Sequence, residues 1–275
     1  MNELKAKKQI EQFLLEDIGD GDLSATLIFP ISERSTGRII AKESGIIAGT
    51  KIIAVTYGIL HQDVHVTLHV QDGDLVEKGQ LIAEVEGPVQ ILLSGERVML
   101  NLLQRMSGIA TLTAEAVRTL NNKEIKIVDT RKTIPGLRMF DKYAVTCGGG
   151  FNHRFGLYDG VMLKDNHIAY AGSIKNAVES IRKQLGHMIK IEVETESEEQ
   201  VIESVEAGAD VIMYDNRSPE EIIRFGKHVP STIVTEASGG ITLENLASYR
   251  DCGVNVISLG FLTHSVKALD LSFYL

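Results

Sequence analysis

Between Asp129 and His167 the chain carries six cationic side chains, Arg131, Lys132, Arg138, Lys142, Arg154 and Lys164, against four aspartates, Asp129, Asp141, Asp159 and Asp165. A locally positive segment thus interrupts a chain in which 28 Lys and Arg are outnumbered by 37 Asp and Glu, for a formal net charge of −9. Guanidinium groups hold carboxylates and phosphates through paired hydrogen bonds and lysines act as point charges, so a ligand with several negative groups suits this cluster. His153 and His167 add donors. The plain alternative is a solvated face of mixed charge. Within the segment, Gly148-Gly149-Gly150 precedes Phe151-Asn152-His153-Arg154; such a run either lets backbone approach a ligand closely or stops a helix.

Two further loops carry phosphate-binding character. Ser238-Gly239-Gly240-Ile241 is expected to join a strand to a helix starting near Thr242, and Ser258-Leu259-Gly260 to end a last strand just before Leu262-Thr263-His264-Ser265. Exposed backbone N–H groups at such turns take a phosphate monoester, with simple tight-turn chemistry as the alternative. Glu194 and Asp215 end neighbouring predicted strands and together could hold a hard cation, most simply Mg2+ shared with a phosphorylated substrate. His61, His65 and His69 are spaced by four, but His61 falls outside the alternating strand that carries the other two, so a solvent-facing edge is favoured over a metal site. Arg105 lies in an apolar helical run before Gly108, and the local pattern does not separate a snorkelling side chain from a functional one.

The elements that must position these residues divide in two. Residues 3–16 repeat apolar side chains at helical spacing, and from Thr36 to Pro88 short alternating runs predict a small sheet with a helix at Ile52 to Leu60 packed on it. A long helical pattern from Ser94 to Leu120 is expected to break at Ser107-Gly108, which sets a domain boundary at about residue 108. Beyond it the pattern becomes strand, loop, helix, repeated, with strands at 125–129, 160–164, 189–194, 210–215, 232–236 and 255–259. Ser197 with Gln200, and Ser218-Pro219 with Glu221, mark helix starts between them. An incomplete α/β barrel is favoured over an open doubly wound sheet, because every strand ends in polar residues where parallel α/β folds place their sites.

Composition excludes several classes. Net negative charge argues against nucleic acid or an anionic membrane as partner, and no apolar run approaches the length of a membrane span. The first sixteen residues lack a signal-peptide core, so a cytoplasmic protein is expected. Two cysteines, Cys147 and Cys252, form neither a disulfide framework nor a Cys-x-x-Cys pair.

Glu96-Arg97, then Leu100-Asn101-Leu102-Leu103-Gln104-Arg105-Met106-Ser107-Gly108-Ile109-Ala110-Thr111, Asp129-Thr130-Arg131-Lys132-Thr133-Ile134-Pro135-Gly136-Leu137-Arg138, Gly148 to Asp159, and Lys164-Asp165-Asn166-His167 closely resemble the quinolinate phosphoribosyltransferases. The likeness runs from Glu16 to Asp270. It implies a type II phosphoribosyltransferase fold: an N-terminal α/β sandwich over 1–108, an incomplete seven-stranded α/β barrel over 109–265, and a tail, 266–275, returning to the first domain. It implies transfer of phosphoribosyl from phosphoribosyl pyrophosphate to quinolinate with decarboxylation, giving nicotinate mononucleotide, pyrophosphate and CO2 in NAD synthesis, with Mg2+. By motif, Arg105, Arg131, Lys132, His153, Arg154 and Lys164 would line the quinolinate pocket. Glu194 and Asp215 would face the ribose and the metal-bound pyrophosphate, and Ser238, Gly239, Gly240, Gly260 and His264 would hold the 5-phosphate. Lys132, Lys164, Glu194 and Asp215 are the catalytic candidates. The resemblance also implies a homo-oligomer, a dimer at minimum with a hexamer as the alternative, and Arg105 supplied by the neighbouring subunit. Competing assignments are a paralogue on the same fold, a Schiff-base aldolase using Lys164, and a carrier module suggested by the stretch from Val70 to Pro88.

Overall fold

A computed structural model describes all residues from Met1 to Leu275. The elements in chain order begin with α1 (Glu3–Ile18), α2 (Leu23–Ile28), β1 (Arg34–Ala41), β2 (Gly45–Ile46), α3 (Thr50–Leu60), β3 (His65–Leu68), β4 (Leu75–Val76), β5 (Leu81–Pro88) and α4 (Val89–Leu120). They continue with β6 (Lys126–Val128), α5 (Arg138–Cys147), β7 (Val161–Leu163), α6 (Asp165–Ala171), α7 (Ile174–Arg182), β8 (Ile191–Thr195), α8 (Glu198–Glu206), β9 (Val211–Asp215) and α9 (Pro219–Gly226). The last are β10 (Val234–Ser238), a 3-10 turn at Leu246–Tyr249, β11 (Val256–Ser258), α10 (Phe261–His264) and β12 (Leu271–Tyr274). Two compact units result, one made of Met1–Ala114, Thr133–Gly149 and Leu262–Leu275, the other of Glu115–Lys132 and Gly150–Phe261. No helix is long and apolar enough to cross a membrane.

In the first unit four antiparallel strands run in the order β12-β1-β5-β3. The terminal strand β12 pairs with β1, Arg38 opposite Tyr274 and Ala41 opposite Leu271. Ile39, Ile82, Val85 and Leu271 from the sheet bury against Ile53, Tyr57, Leu92, Met99 and Leu103 from the helices. Each such aliphatic side chain contributes roughly 1.5–3 kcal/mol on leaving water.

The expected helix break at Ser107-Gly108 is absent, since α4 runs through both residues without interruption. Ser107 is fully buried and its hydroxyl accepts the Ala48 N–H at 3.1 Å. Gly108 faces the backbone of Lys267 and Ala268 so closely that a Cβ there would overlap the Lys267 carbonyl oxygen. The glycine therefore marks a close approach rather than a helix end, a long-range reason that a local pattern cannot carry.

The second unit holds six parallel strands in the order β6-β11-β10-β9-β8-β7, the six read from the sequence. Beside β6, Phe151 forms a single parallel bridge to Val128, its N–H donating to the Ile127 carbonyl at 2.8 Å. The seventh strand implied by the family resemblance is this one-residue bridge. From β7 to β11 consecutive strands are neighbours and the order never reverses, while β6 lies beside β11, the last. That winding belongs to a barrel; a doubly wound sheet would reverse at a switch point. Ser197 caps α8, and Ser218 with Glu221 forms a full capping box with Pro219 at the first turn of α9. The helix expected from Thr242 is instead a turn followed by the 3-10 segment, with Asn245 accepting the Thr242 N–H at 2.8 Å and donating to the Gly240 carbonyl at 2.9 Å.

The contrast between two helical glycines tests the close approach. Gly108→Ala should destabilise the protein by about 1–3 kcal/mol, because a backbone atom cannot yield as a side chain can. Gly58→Ala, in α3 with open space around it, should stabilise by roughly 0.5–1 kcal/mol through helix propensity alone. Thermal melts of the two variants in one buffer should move in opposite directions, and a shift of Gly108→Ala upward would refute this packing.

Candidate active site

The carboxyl ends of the parallel strands open onto a cavity of about 550 Å3, and every strand of the sheet supplies part of its wall. Thr130, Arg131 and Lys132 follow β6, His153 and Arg154 follow the Phe151 bridge, and Met162 and Lys164 come from the end of β7. Glu194 lies on β8, Met213, Asp215 and Asn216 on and after β9, Glu236, Ser238, Gly239 and Gly240 on and after β10, and Ser258 on β11. Strand runs rich in Val and Ile bury the sheet, so polar residues survive where each strand leaves it.

Arg131 and Arg154 gather on one part of this wall, and Glu194 and Asp215 on another. Burial, and then the like charge of Arg131, lower the pKa of Arg154 from its ordinary value, so two guanidinium groups lie close enough to repel. Arg154 is held in place by its own Nη1, which donates to the Gly160 carbonyl at 2.7 Å. Across the cavity, burial raises the Asp215 carboxyl above the aspartate range and the charge of Glu194 adds to the effect. Lys164 answers it, with Nζ donating to Glu194 Oε2. Asn216, in a left-handed conformation (φ 54°), donates from Nδ2 to Asp215 Oδ2 at 2.6 Å. Gly239 (φ 80°) passes so close to the Asn216 side chain that a Cβ would collide with it, and Gly240 (φ 66°) continues the turn. Ser258 and Ser238 hydroxyls bond each other at 2.9 Å beside this turn.

His153 stands on a buried acidic floor. Its Nε2 lies 3.2 Å from Glu192 Oε2 and 3.5 Å from Glu236 Oε2, and Asp129 accepts its backbone N–H at 3.0 Å. Burial opposes a charged ring, while bonds and charges from the two glutamates push the pKa up to about 10. Yet the Arg154 N–H donates to His153 Nδ1 at 2.8 Å, so a proton on that nitrogen would face another donor. The geometry makes Nε2 the proton-bearing nitrogen of the ring, between the two glutamates, and burial raises the Glu192 carboxyl beside it. These three residues have ligand atoms within 4.8 Å of one another. A metal on Nε2 would need the proton on Nδ1, so they do not form a metal site in this arrangement. Glu194 and Asp215 instead offer a hard oxygen donor set with mutual repulsion that a divalent cation would relieve.

Of the residues expected from sequence, Arg131, Lys132, His153, Arg154, Lys164, Glu194, Asp215, Ser238, Gly239 and Gly240 line this cavity together. Gly260 follows β11 without being part of the wall, and His264, at the end of α10, bonds Ser265 Oγ through Nδ1 at 2.5 Å. Arg105 belongs to the first unit, where Asp141 and the Thr263 carbonyl engage its Nε and Nη2. Asn216, Glu236 and Ser258 line the cavity too; the sequence places Ser258 in a phosphate-binding loop and the other two at polar strand ends, without a role of their own. Sequence reading missed Glu192 and Asp141, whose partners lie 39 and 36 positions away in the chain and leave no local signal.

Comparison with known proteins matches this geometry to one family. Residues 22–107 fit the model described as quinolinate phosphoribosyl transferase, N-terminal domain, and residues 109–274 fit the corresponding C-terminal domain. A Bacillus subtilis protein named "Probable nicotinate-nucleotide pyrophosphorylase (carboxylating)" is 58% identical over 99% of this chain and 94% of its own length. A mitochondrial quinolinate phosphoribosyltransferase (decarboxylating) of Nicotiana glauca is 41% identical over 97% of this chain and 81% of its own. The solved structure of NadC from Streptococcus pyogenes superposes with a TM-score of 0.96 at 38% identity, covering 100% of this chain and 97% of that one. The strand-end cavity, the two-unit architecture and these matches along the whole chain place the protein in the quinolinate phosphoribosyltransferase family.

Proposed function

We propose that the chain transfers phosphoribosyl from phosphoribosyl pyrophosphate to quinolinate with loss of CO2, giving nicotinate mononucleotide and pyrophosphate for NAD synthesis. The observation that carries this reading is the pair of mutually repelling guanidinium groups, Arg131 and Arg154, beside Lys132 in one cavity. Two adjacent carboxylates on a pyridine ring are the complement of such a cluster, and holding both fixes the ring nitrogen toward the sugar. Arg131, Lys132, His153, Arg154 and Lys164 take the quinolinate side, His153 as a wall whose nitrogens are engaged within the protein. The turn at Ser238, Gly239 and Gly240, with Gly260 after β11, takes the 5-phosphate through backbone N–H groups.

Departure of pyrophosphate leaves positive charge on the ribose, which Glu194 is placed to stabilise while Lys164 holds its carboxylate in position. Mg2+ held by Glu194 and Asp215 would neutralise the leaving group when bound. After CO2 is lost, the ring carbanion needs a proton, and Lys132 and Lys164 are the candidates within the cavity. Soluble, charged substrates suit a cytoplasmic location.

The same reading includes a homodimer in which α4 lends an arginine to the neighbouring cavity. Arg105 is a poor lender, since its side chain is 17% exposed and two of its nitrogens are bound within its own chain. Arg97, about two turns earlier on α4, is 59% exposed with adjacent Glu96 3.4 Å away.

Two experiments follow from these roles. Divalent binding requires Asp215 ionised, and a raised pKa means that the proton competes at higher pH than at an ordinary aspartate. Mn2+ affinity, read by titration, should therefore fall as pH drops through that raised range, and Asp215→Asn should remove both the affinity and its pH dependence. Retained Mn2+ binding in Asp215→Asn would place the cation elsewhere. For the dimer, Arg97→Ala mixed with Lys132→Ala should regain activity in verified heterodimers, because one cavity then has every residue; no recovery would count against the lent arginine.

A further inference from the structure

Arg105 and Asp141 form an enclosed ion pair in the first unit, Asp141 being fully buried. The guanidinium meets the carboxylate edge-on, with Nε to Oδ1 and Nη2 to Oδ2 both at 2.8 Å. Nη2 also donates to the Thr263 carbonyl at 2.9 Å, and the Asp141 carboxylate accepts the Ile134 N–H. One charge pair thus joins three segments: α4 through Arg105, the loop before α5 through Ile134, and α10 through Thr263.

What those segments adjoin gives the pair its meaning. Ile134 lies two residues after Lys132, and Thr263 three residues after Gly260 and one before His264. The loop also has short-range bonds, Leu137 N–H to the Ile134 carbonyl at 3.0 Å and Arg138 Nε to Thr133 Oγ1 at 3.1 Å, and Gln9 Nε2 donates to the Gly136 carbonyl at 2.6 Å. Its ties to Asp141 and to Gln9 fix where the loop stands, not merely its shape. A buried ion pair adds little net stability compared with apolar packing of the same volume, so stability alone does not account for a charged junction here. A planar fork with fixed donor directions does account for it, because it dictates two backbone positions at once.

We propose that Asp141 and Arg105 are positioning residues, which together set the backbone following Lys132 and the backbone following Gly260 at the spacing that quinolinate and the 5-phosphate of phosphoribosyl pyrophosphate together require. This rests on the cavity roles given above for Lys132 and Gly260. Neither residue touches substrate; each acts through the segments it pins. Removing the fork leaves the Ile134 N–H and the Thr263 carbonyl without these partners and frees the two segments to drift independently. The expected loss is in substrate binding common to ground and transition states, seen in KM.

The test uses the full-length enzyme with steady-state kinetics and thermal melts. Asp141→Asn and Arg105→Lys should each raise the KM for quinolinate and for phosphoribosyl pyrophosphate by about tenfold while kcat changes much less, and the two combined should be no worse than the stronger single variant. Arg105→Met/Asp141→Leu replaces the pair with apolar volume and should melt near the parent while keeping the raised KM. Asp141→Glu, which retains a carboxylate, should recover part of the loss. A parent-like KM in any folded variant lacking the fork, or simple additivity of the two single effects, would overturn the proposal. Lys132→Ala, assayed alongside, separates the two levels: parent-like kinetics in that variant would instead overturn the cavity reading on which the proposal rests.

Discussion

A chain of net charge −9 must keep its ligand-binding cations from collapsing onto its own acids, and that constraint organises the catalytic unit. Parallel strands solve it by geometry. Each strand delivers one or two polar side chains to the same end of the sheet, separated from the next strand's by the strand spacing, so Arg131, Lys132 and Arg154 gather on one part of the wall while Glu194 and Asp215 gather on another. Burial, with the like charge of a neighbour added, lowers the pKa of Arg154 on one side and raises that of Asp215 on the other. Anions relieve the first and a cation the second, which is the pairing that quinolinate and a magnesium-bound pyrophosphate would bring.

Rigid supports keep that arrangement poised. The Gly160 carbonyl orients Arg154, Asn216 orients Asp215, Lys164 orients Glu194, and His153 is locked between the Arg154 N–H and two buried glutamates. Glu192, buried outside the cavity wall, holds His153 at a second remove. Fixed groups of this kind need no reorganisation when charge develops on the ribose, which is where electrostatic catalysis gains most.

Much of this was legible in the sequence, for a physical reason. Parallel strands buried on both faces appear as short Val- and Ile-rich runs, and their polar ends stand out against that background, so the six strands and ten of the cavity residues could be placed from pattern. What escaped depends on distant contacts. Gly108 looked like a helix break because its reason is the backbone of Lys267, and Arg105 looked like a loose side chain because Asp141 lies 36 residues on. The turn after Gly240 looked like a helix start because the side chain that closes it, Asn245, bonds the Thr242 N–H and ends the turn locally. The family resemblance supplied an identity for the ligands that no local pattern contains, and assigned Arg105 a role that its buried fork makes difficult.

The most direct test of the dicarboxylate pocket is nicotinate mononucleotide formation from phosphoribosyl pyrophosphate and Mg2+, with quinolinate and nicotinate offered in parallel and CO2 release followed. Product and equimolar CO2 are expected from quinolinate, with little or none from nicotinate. Product from nicotinate without product from quinolinate would leave the fold and the phosphate turn standing and contradict the paired-carboxylate reading of Arg131, Lys132 and Arg154.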